Sequence, residues 1–298
     1  MFEDFKNTLD RCHSYKKSLK RLDINQESVN LLREKINNSK HVPKSLTDKQ
    51  LLFFLNRNRC DIDRVATLME NFYKNRTLVP EFFKNRDVFS KEIQNCLENQ
   101  YYIILPVTSK NQMLFYHSIK NTDPNSYDFN SAIKVFCMLF EAHACIYGPL
   151  SEAVFIFDMG NISFRYLLKP SLSSVRRGFK FLNGANPIKI RKINVFNTLP
   201  LFDLIAAMIK PFMKPKIFER IHLFHSNVNF EKFHESDIPK SHLPKEYGGT
   251  LGTLDELQEK TTKILMDLRD YFILEEKQRE LEFEDYILKH PKDVKCYD

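Results

Sequence analysis

The sequence contains no tryptophan, only 7 glycines among its 298 residues, and no cysteine pair of the CxxC type. Its 6 cysteines follow no regular spacing, and a chain of this length can bury a core without disulfides, so we expect reduced thiols. No uncharged apolar run approaches the roughly 18 residues of a membrane-spanning helix, and the first residues lack the apolar core of a signal peptide. These absences predict a soluble, cytoplasmic protein.

Catalytic motifs are missing as well. The sequence has no GxSxG, HExxH, Walker or Cys-x5-Arg pattern. His143, His222 and His225 are scattered, which argues against a metal site, and the GGTLG string reads as a turn because it does not open a helix after a strand. We expect no enzyme and no cofactor or metal; an enzyme remains an alternative that a screen for turnover tests.

Aromatic and basic residues are abundant. Because 26 Phe and 12 Tyr supply the aromatic content, many of these rings must be buried together or line an apolar space. The net charge of +7 comes from 45 basic and 38 acidic residues, so an anionic surface is attracted only where the basic residues cluster. Nucleic acid is an alternative partner, but no stacking motif or recognisable module accompanies the charge, and we expect none to bind.

The stretch 188–224 combines a strand-like run with a helix that is apolar on almost every side, between two basic clusters. Pro200 can occupy the first turn of this helix and Pro211 can end it. A helix that is apolar all round is normally buried in a core. The alternative is a helix that faces a hydrophobic cavity on one side and a membrane on the other.

Periodicity predicts helices at Asn25–Ile36, at Asp48 to about Asn56 with Thr47 as cap, and at Asp61–Lys74, in a lobe without glycine. Strand-like runs follow, namely YYIILPV, QMLFYHSI, AVFIFDM, IRKINVF and RIHLFHS. They alternate with helical segments at Asn130–Tyr147 and about Phe164–Leu182, so we predict an α/β fold with a mostly parallel sheet. One long amphipathic helix, Thr253 to about Lys289, is expected to pack back on the domain; a partner-binding helix is the alternative.

Several strings resemble the CRAL-TRIO lipid-binding family, in its tocopherol- and retinaldehyde-transfer branch. They are LTDKQLLFFLNRNRCDIDRV, YKNRTLVPEFFKNRD, VFIFDMGNISF, KIRKINVFN, MIKPF, KIFERIHLF and LPKEYGG, in the family's order over residues 46–250. The resemblance implies a helical N-terminal lobe (1–90), a lipid-binding α/β domain (91–252) and a C-terminal helical extension (253–298). It also implies a lipid cavity between the sheet and a mobile lid helix, Leu199–Met213.

The resemblance assigns two sets of residues. The expected lipid-binding wall consists of Ile133, Phe136, Cys137, Phe140, Phe155, Phe157, Ile162, Phe164, Leu168, Phe181, Leu182, Ile188, Ile190, Ile193, Phe202, Ile205, Met208 and Ile209. The expected phosphoinositide-binding residues are Lys189, Arg191, Lys216 and Arg220. A further family arginine aligns with Asn58, which puts phosphoinositide selectivity in question.

The sequence thus predicts a monomer that binds a hydrophobic small-molecule lipid such as a tocopherol, a retinoid or another isoprenoid. It would transfer this lipid between membranes by transient, peripheral docking on anionic, phosphoinositide-containing surfaces. Phe136 and Phe140, where relatives are often smaller, predict a narrower cavity. The alternative is a lipid-sensing scaffold that acts through its C-terminal helix.

Overall fold

The computed structural model describes residues 26–56, 61–148, 150–198, 201–225, 233 and 238–289. The helices in these ranges are α1 Gln26–Ile36, α2 Asp48–Leu55, α3 Ile62–Leu78, α4 Pro80–Phe83, α5 Lys91–Asn99, α6 Phe129–Tyr147, α7 Phe164–Leu167, α8 Leu172–Gly184, α9 Leu201–Ile209, α10 Pro215–Phe218, α11 Leu254–Asp267 and α12 Arg269–Lys289. The strands are β1 Gln100–Leu105, β2 Met113–Ile119, β3 Glu152–Asp158, β4 Lys189–Phe196 and β5 Ile221–Leu223. The predicted α/β class is confirmed.

The N-terminal helices begin where short polar side chains can cap them. Thr47 starts α2 with a capping box, in which its hydroxyl accepts from the Gln50 amide at 3.2 Å and the Gln50 side chain accepts from the Thr47 amide at 2.9 Å. Asp61 caps α3 with its side chain alone, which accepts a hydrogen bond from the Arg64 amide at 3.2 Å. Helix α3 runs to Leu78, four residues beyond its predicted end at Lys74.

The five strands form one sheet in the order β1-β2-β3-β4-β5. Strands β1 and β2 are antiparallel, and the three pairs from β2 to β5 are parallel, as predicted. Each parallel pair needs a crossover connection, which α6, the α7–α8 pair and the α9–α10 pair provide. Helices α7 and α9 therefore both follow the carboxyl end of a strand, on neighbouring strands β3 and β4.

The two faces of the sheet carry different layers, because successive side chains of a strand point in opposite directions. Phe115 and Phe155 lie in a buried cluster with residues of α6 such as Val135 and Leu139. On the opposite face, Tyr116 lies in a cluster to which Phe233 and residues of 238–257 contribute. A third cluster joins α1–α4 to one side of α6 and α8. The N-terminal lobe therefore packs on the layer that contains α6.

Helix α6 is the central helix of this arrangement. By length and composition it is the one helix in the described ranges that could cross a membrane, yet 67% of its apolar window is buried inside the fold. It also carries Lys134 and Glu141, which are buried and paired with charged partners. Burial against protein on most sides is typical of the core helix of a folded domain.

The C-terminal region differs from the prediction of one continuous helix. The helix is interrupted at Leu268, whose backbone dihedral angles (φ −97°, ψ 11°) lie outside the helical region and separate α11 from α12. Helix α11 covers the free edge of β1. Gln258 accepts a hydrogen bond from the Tyr102 amide at 2.7 Å, and Thr261 accepts one from the Ile104 amide at 3.1 Å. Side chains therefore replace the missing neighbouring strand.

Two further elements differ from their predictions. Helix α5 was not predicted, because its sequence is mostly polar and buries only Ile93, Cys96 and Leu97. Strand β5 pairs over only three residues instead of the predicted seven, so it forms a short edge. Cys96, Cys137 and Cys145 are free thiols, as predicted for these three cysteines.

Candidate functional site

Helix α9 lies at the surface, although its sequence is almost entirely apolar. None of its described side chains is fully buried: Phe202, Ile205, Met208 and Ile209 are half-buried, and Leu204 is 53% exposed. Apolar helices that belong to a core bury most of their side chains. The buried-core interpretation of this helix is therefore wrong, and the interpretation with two apolar sides fits the observed exposure.

The inner side of α9 packs against the buried cluster on one face of the sheet. Phe202 and Ile205 pack against the cluster that contains Phe155 and, at its margin, Phe136 and Phe157. The Phe136 ring lies 6.4 Å from that of Phe155 and 5.8 Å from that of Phe157, measured between centroids. These distances are typical of favourable aromatic pairs. The cluster against which α9 packs therefore includes phenylalanine rings from one helix and one strand.

Most residues of the expected lipid-binding wall meet on this face, but some do not. Those in or against the sheet-face cluster are Phe136, Phe140, Phe155, Phe157, Ile162, Leu182, Ile188, Ile190, Ile193, Phe202 and Ile205. Ile133, Cys137 and Phe181 lie instead in or against the core of the N-terminal lobe, where the Phe181 ring is 5.0 Å from that of Phe83. The lobe core reaches these three because α6 and α8 present their other sides to it.

Two expected wall residues lie on the surface. Phe164 is 55% exposed and Leu168 is 70% exposed. They belong to α7 and the turn after it, beyond the carboxyl end of β3, where no further layer covers them. Leu172, at the start of α8, is also 64% exposed. A set of large apolar side chains therefore faces solvent at the edge of the sheet from which α9 also departs.

A small cavity among the described residues lies elsewhere, next to the N-terminal lobe. Its volume is about 30 Å³, and Phe53, Arg76, Glu141 and Tyr271 are among the residues that line it. Such a volume holds about one water molecule. It lies beside the buried charges that join α3, α6 and α12, away from α9.

A polar group interrupts the aromatic face. His117, on β2, lies with its ring centroid 4.8 Å from that of Tyr102 and 5.1 Å from that of Phe136. Its Nε2 lies 3.1 Å from Oε1 of Gln100, which also accepts a hydrogen bond from the Tyr102 hydroxyl at 2.9 Å. Burial lowers the pKa of His117 to about 3. The imidazole is therefore neutral at physiological pH.

A second histidine, His143, is buried one turn beyond Phe140 on α6. Neither of its ring nitrogens has a hydrogen-bond partner, and neither is accessible to solvent. Desolvation lowers its pKa to about 3. The ring packs against Phe115 and Tyr147 at centroid distances of 5.7 and 4.8 Å. The residues that the structure describes include no cluster of histidine, cysteine and acidic side chains that could hold a metal ion.

Side-chain amides hold both ends of the α9 segment. Before α9, Asn197 takes a left-handed backbone (φ 52°), which asparagine tolerates, and its amide donates to both carboxylate oxygens of Asp158 at 2.9 Å. After α9, Asn183 of α8 donates to the Phe212 carbonyl at 2.6 Å and accepts from the Lys214 amide at 3.3 Å. The helix is fastened at its two ends by polar contacts, while its own side chains are only half-buried.

The expected phosphoinositide-binding residues lie on β4 and just after α9. Arg191 forms an ion pair with Glu152 of β3, and Arg220 donates to the carbonyl oxygen of Ile190. Lys189 is the register partner of Glu152, and Lys216 is exposed on α10. The charge of Arg191 is therefore already balanced by a carboxylate. Asn58 lies outside the described residues.

The comparisons with known proteins bear on this site. Residues 97–249 match the family model described as CRAL/TRIO domain. The chain belongs to the CRAL/TRIO family. The CRAL/TRIO match includes all five strands, α6 and α9, while residues 22–93 match the model described as Pinta-like, UBA domain. The family resemblance predicted from the sequence is confirmed.

This CRAL/TRIO chain is similar to several curated proteins and to a solved structure. It is 28% identical over 216 residues to the human "Alpha-tocopherol transfer protein-like", a match that covers 71% of this chain and 61% of that protein. It is 31% identical over 102 residues to Clavesin-1 of Xenopus laevis, which covers 34% of this chain and 30% of that protein. A crystal structure of Sfh5 matches at 10% identity with a TM-score of 0.48, over 85% of this chain and 91% of that one.

Sequence reasoning missed the polar residues of this CRAL/TRIO domain. The run QMLFYHSI carried the signal for His117, because alternation places it on the same face as Met113 and Phe115. Gln100 lies at the start of β1, in a segment that was assigned to neither a helix nor a strand. Asn183 had no local signal, because its partners come from a later segment of the chain.

Proposed function

We propose that this chain binds a hydrophobic lipid between the aromatic face of the sheet and α9, and transfers it at anionic membranes with α9 as the lid. The observation that carries the proposal is the exposure of α9: a helix with apolar side chains on nearly every side, none of those described fully buried. Water is a poor environment for its outer side, and a lipid or a membrane interior is a favourable one.

The energetics assign separate roles to the proposed lipid site under α9 and to the protein surface around it. Burial of a lipid with an apolar surface of about 400 Å² is worth roughly 10 kcal/mol relative to water at ~25 cal/mol per Å². It is worth little relative to a bilayer, which is equally apolar. Uptake therefore depends on displacing the lid, and the shape of the aromatic face selects the lipid.

The surface around the lid fits membrane docking. Leu168, Leu172 and Leu204 are exposed on the elements that follow the carboxyl ends of β3 and β4. Lys189 and Arg191 lie at the start of β4, and Lys216 lies on α10, just after the lid. Each basic residue near an anionic leaflet contributes roughly 1 kcal/mol. Apolar side chains that enter the bilayer while cations contact its headgroups would hold the lid side against the membrane.

A vesicle transfer assay tests the proposal. The purified protein is mixed with donor vesicles that carry a fluorescent tocopherol analogue and with acceptor vesicles of neutral or anionic composition. We expect Lys189→Glu with Arg191→Glu to slow transfer from anionic vesicles about tenfold or more and to leave binding in solution intact. Lys260→Glu with Lys263→Glu, an equal charge change on exposed positions of α11, is the matched control.

Two results would contradict the proposal. If the protein takes up no lipid probe in solution, the cavity function fails. If both double variants transfer the probe at the rate of the unaltered protein, the docking role of β4 fails. The scaffold alternative has less support, because α11 and α12 bury Leu257, Leu265, Leu268 and Phe272 within this chain and leave these side chains unavailable to a partner.

A further inference from the structure

The aromatic face of the sheet contains a polar side chain, His117, one ring nitrogen of which has no hydrogen-bond partner among the described residues. His117 is surrounded by rings, with Tyr102 at 4.8 Å, Phe136 at 5.1 Å and Phe157 at 5.8 Å between centroids. Its Nε2 faces Gln100. Its Nδ1 has no hydrogen-bond partner among the described residues. Both ring nitrogens of His143 are also without a partner but are completely buried, whereas Nδ1 of His117 is not among these completely buried atoms.

Gln100 determines which nitrogen of His117 carries the proton. Its Oε1 already accepts a hydrogen bond from the Tyr102 hydroxyl at 2.9 Å and lies 3.1 Å from His117 Nε2. An amide oxygen has no proton to give, so Nε2 must donate. In a neutral imidazole the other nitrogen then bears the lone pair. Nδ1 of His117 is therefore an acceptor.

The apolar surroundings keep this acceptor available. The imidazole stays neutral because desolvation lowers its pKa to about 3. A neutral acceptor among apolar side chains favours a ligand group that donates a hydrogen bond. It forms no hydrogen bond with a group that can only accept. Discrimination between such groups is strong in buried sites, because the unmatched polar atom loses its contact with water.

We propose that His117, held in one tautomer by Gln100, accepts a hydrogen bond from the hydroxyl group of the bound lipid, so that the cargo is a lipid alcohol and not the corresponding ether, aldehyde or ester. This inference rests on the proposed function, because it names the chemical class of the lipid in the same cavity. His117 is the contact residue, and Gln100 is a positioning residue.

A competition experiment tests the inference. Lipid-free protein is equilibrated with equal amounts of geranylgeraniol and its methyl ether, and the two complexes are counted by native mass spectrometry. One hydrogen bond between neutral groups is worth about a fivefold preference, so we expect the alcohol complex to dominate by about that factor. His117→Phe should remove the preference and bind the ether at least as well.

Two further variants distinguish the residue that contacts the lipid from the residue that positions it. His143→Phe makes the same substitution at a sealed histidine, and we expect it to leave the preference unchanged. Gln100→Leu frees the tautomer of His117, so Nδ1–H can then donate, and we expect the preference over geranylgeranial, an acceptor of the same skeleton, to fall severalfold. Circular dichroism and thermal unfolding establish that each variant is folded.

The outcomes distinguish the two proposals. If the protein binds neither the alcohol nor the ether, the lipid-cavity function fails and this inference fails with it. If it binds both equally, or if His143→Phe and not His117→Phe abolishes the preference, the cavity function stands and the role of His117 is overturned. Loss of preference in His117→Phe together with its reduction in Gln100→Leu supports the inference.

Discussion

Arg86 and Glu141 meet in the interior between the N-terminal lobe and the sheet domain, where Nη1 of the arginine lies 2.8 and 2.9 Å from the two carboxylate oxygens. Both side chains are buried, and Glu141 also pairs with Arg76. Glu275 of α12 pairs with the same two arginines. Residues from α3, the loop after α4, α6 and α12 thus share one network, with Arg279 at its margin.

Glu141→Gln tests this network. The change removes the charge that balances two buried guanidinium groups, and breaking a buried pair from one side typically costs about 3–5 kcal/mol. We expect a loss of that order in the free energy of unfolding, measured by urea denaturation at pH 7. Asp285→Asn, which breaks the exposed pair with Lys289, should change it by less than about 0.5 kcal/mol. Equal effects of the two substitutions would show that the network adds nothing to stability.

The network also predicts loss of stability in acid. Burial alone would raise the pKa of Glu275, but Arg76, Arg86 and Arg279 lower it from 4.5 to about 2. The unfolded state therefore binds more protons between these values, and the contribution of Glu275 is present above pH 4.5 and is lost as the pH falls toward 2. Unfolding midpoints measured from pH 6 to pH 2 should fall through this window.

His143→Phe should stabilise the protein and flatten its pH profile. Both ring nitrogens are buried without partners, which costs about 1–3 kcal/mol. Because its pKa falls from 6.5 to about 3, the unfolded chain takes up a proton below pH 6.5 that the fold excludes. Stability then declines by about 1.4 kcal/mol per pH unit for this histidine. Urea unfolding at pH 7.5 and pH 5 should show a smaller difference in the variant; an unchanged difference would contradict the assignment.

Asn183→Ala should loosen the end of α9. The substitution removes the hydrogen bonds to the Phe212 carbonyl and from the Lys214 amide, each worth about 1 kcal/mol. We expect amide exchange in residues 201–214 to quicken severalfold, while exchange in α11 stays unchanged and serves as the internal control. If exchange quickens and transfer from vesicles does not, movement of α9 does not limit transfer.

Glu152→Gln should strengthen binding to anionic membranes. The hydrogen bond from Arg191 lowers the pKa of Glu152, so the carboxylate is ionised and balances the arginine at pH 7. Removal of its charge frees Arg191 for phosphate groups, and about 1 kcal/mol corresponds to roughly fivefold tighter binding. Co-sedimentation with anionic vesicles measures the change. Glu98→Gln, at an exposed position of α5, makes the same change in net charge and should have little effect.

Local periodicity was enough to predict most of the fold. The strand-like runs became β1 to β4 and the helical spacing became α6, because each segment buries one face or both faces in the sheet domain. The break at Leu268 could not be predicted, since leucine is a good helix former and neither glycine nor proline interrupts the run. Helix α5 was missed because its three buried side chains lie among polar residues.

The candidate site was only partly predictable for a different reason. The apolar positions of β3, β4 and α6 follow from the pattern together with the family resemblance. Which side of α6 or α8 each residue faces depends on how the N-terminal lobe docks. Ile133, Cys137 and Phe181 were therefore assigned to the cavity wall, although they lie in or against the lobe core. The pairing of Gln100 with His117 depends on the register of β1 and β2, which no local signal specifies.

The cover that α11 provides over β1 has a consequence for biosynthesis. Gln258 and Thr261 leave the ribosome more than 150 residues after the strand whose amide groups they satisfy. Until then, the nascent sheet presents an open border to other chains, and such borders promote aggregation. The edge of β1 is therefore covered late in synthesis. A nascent chain that ends before residue 258 would leave this edge exposed and would depend on chaperones to prevent aggregation.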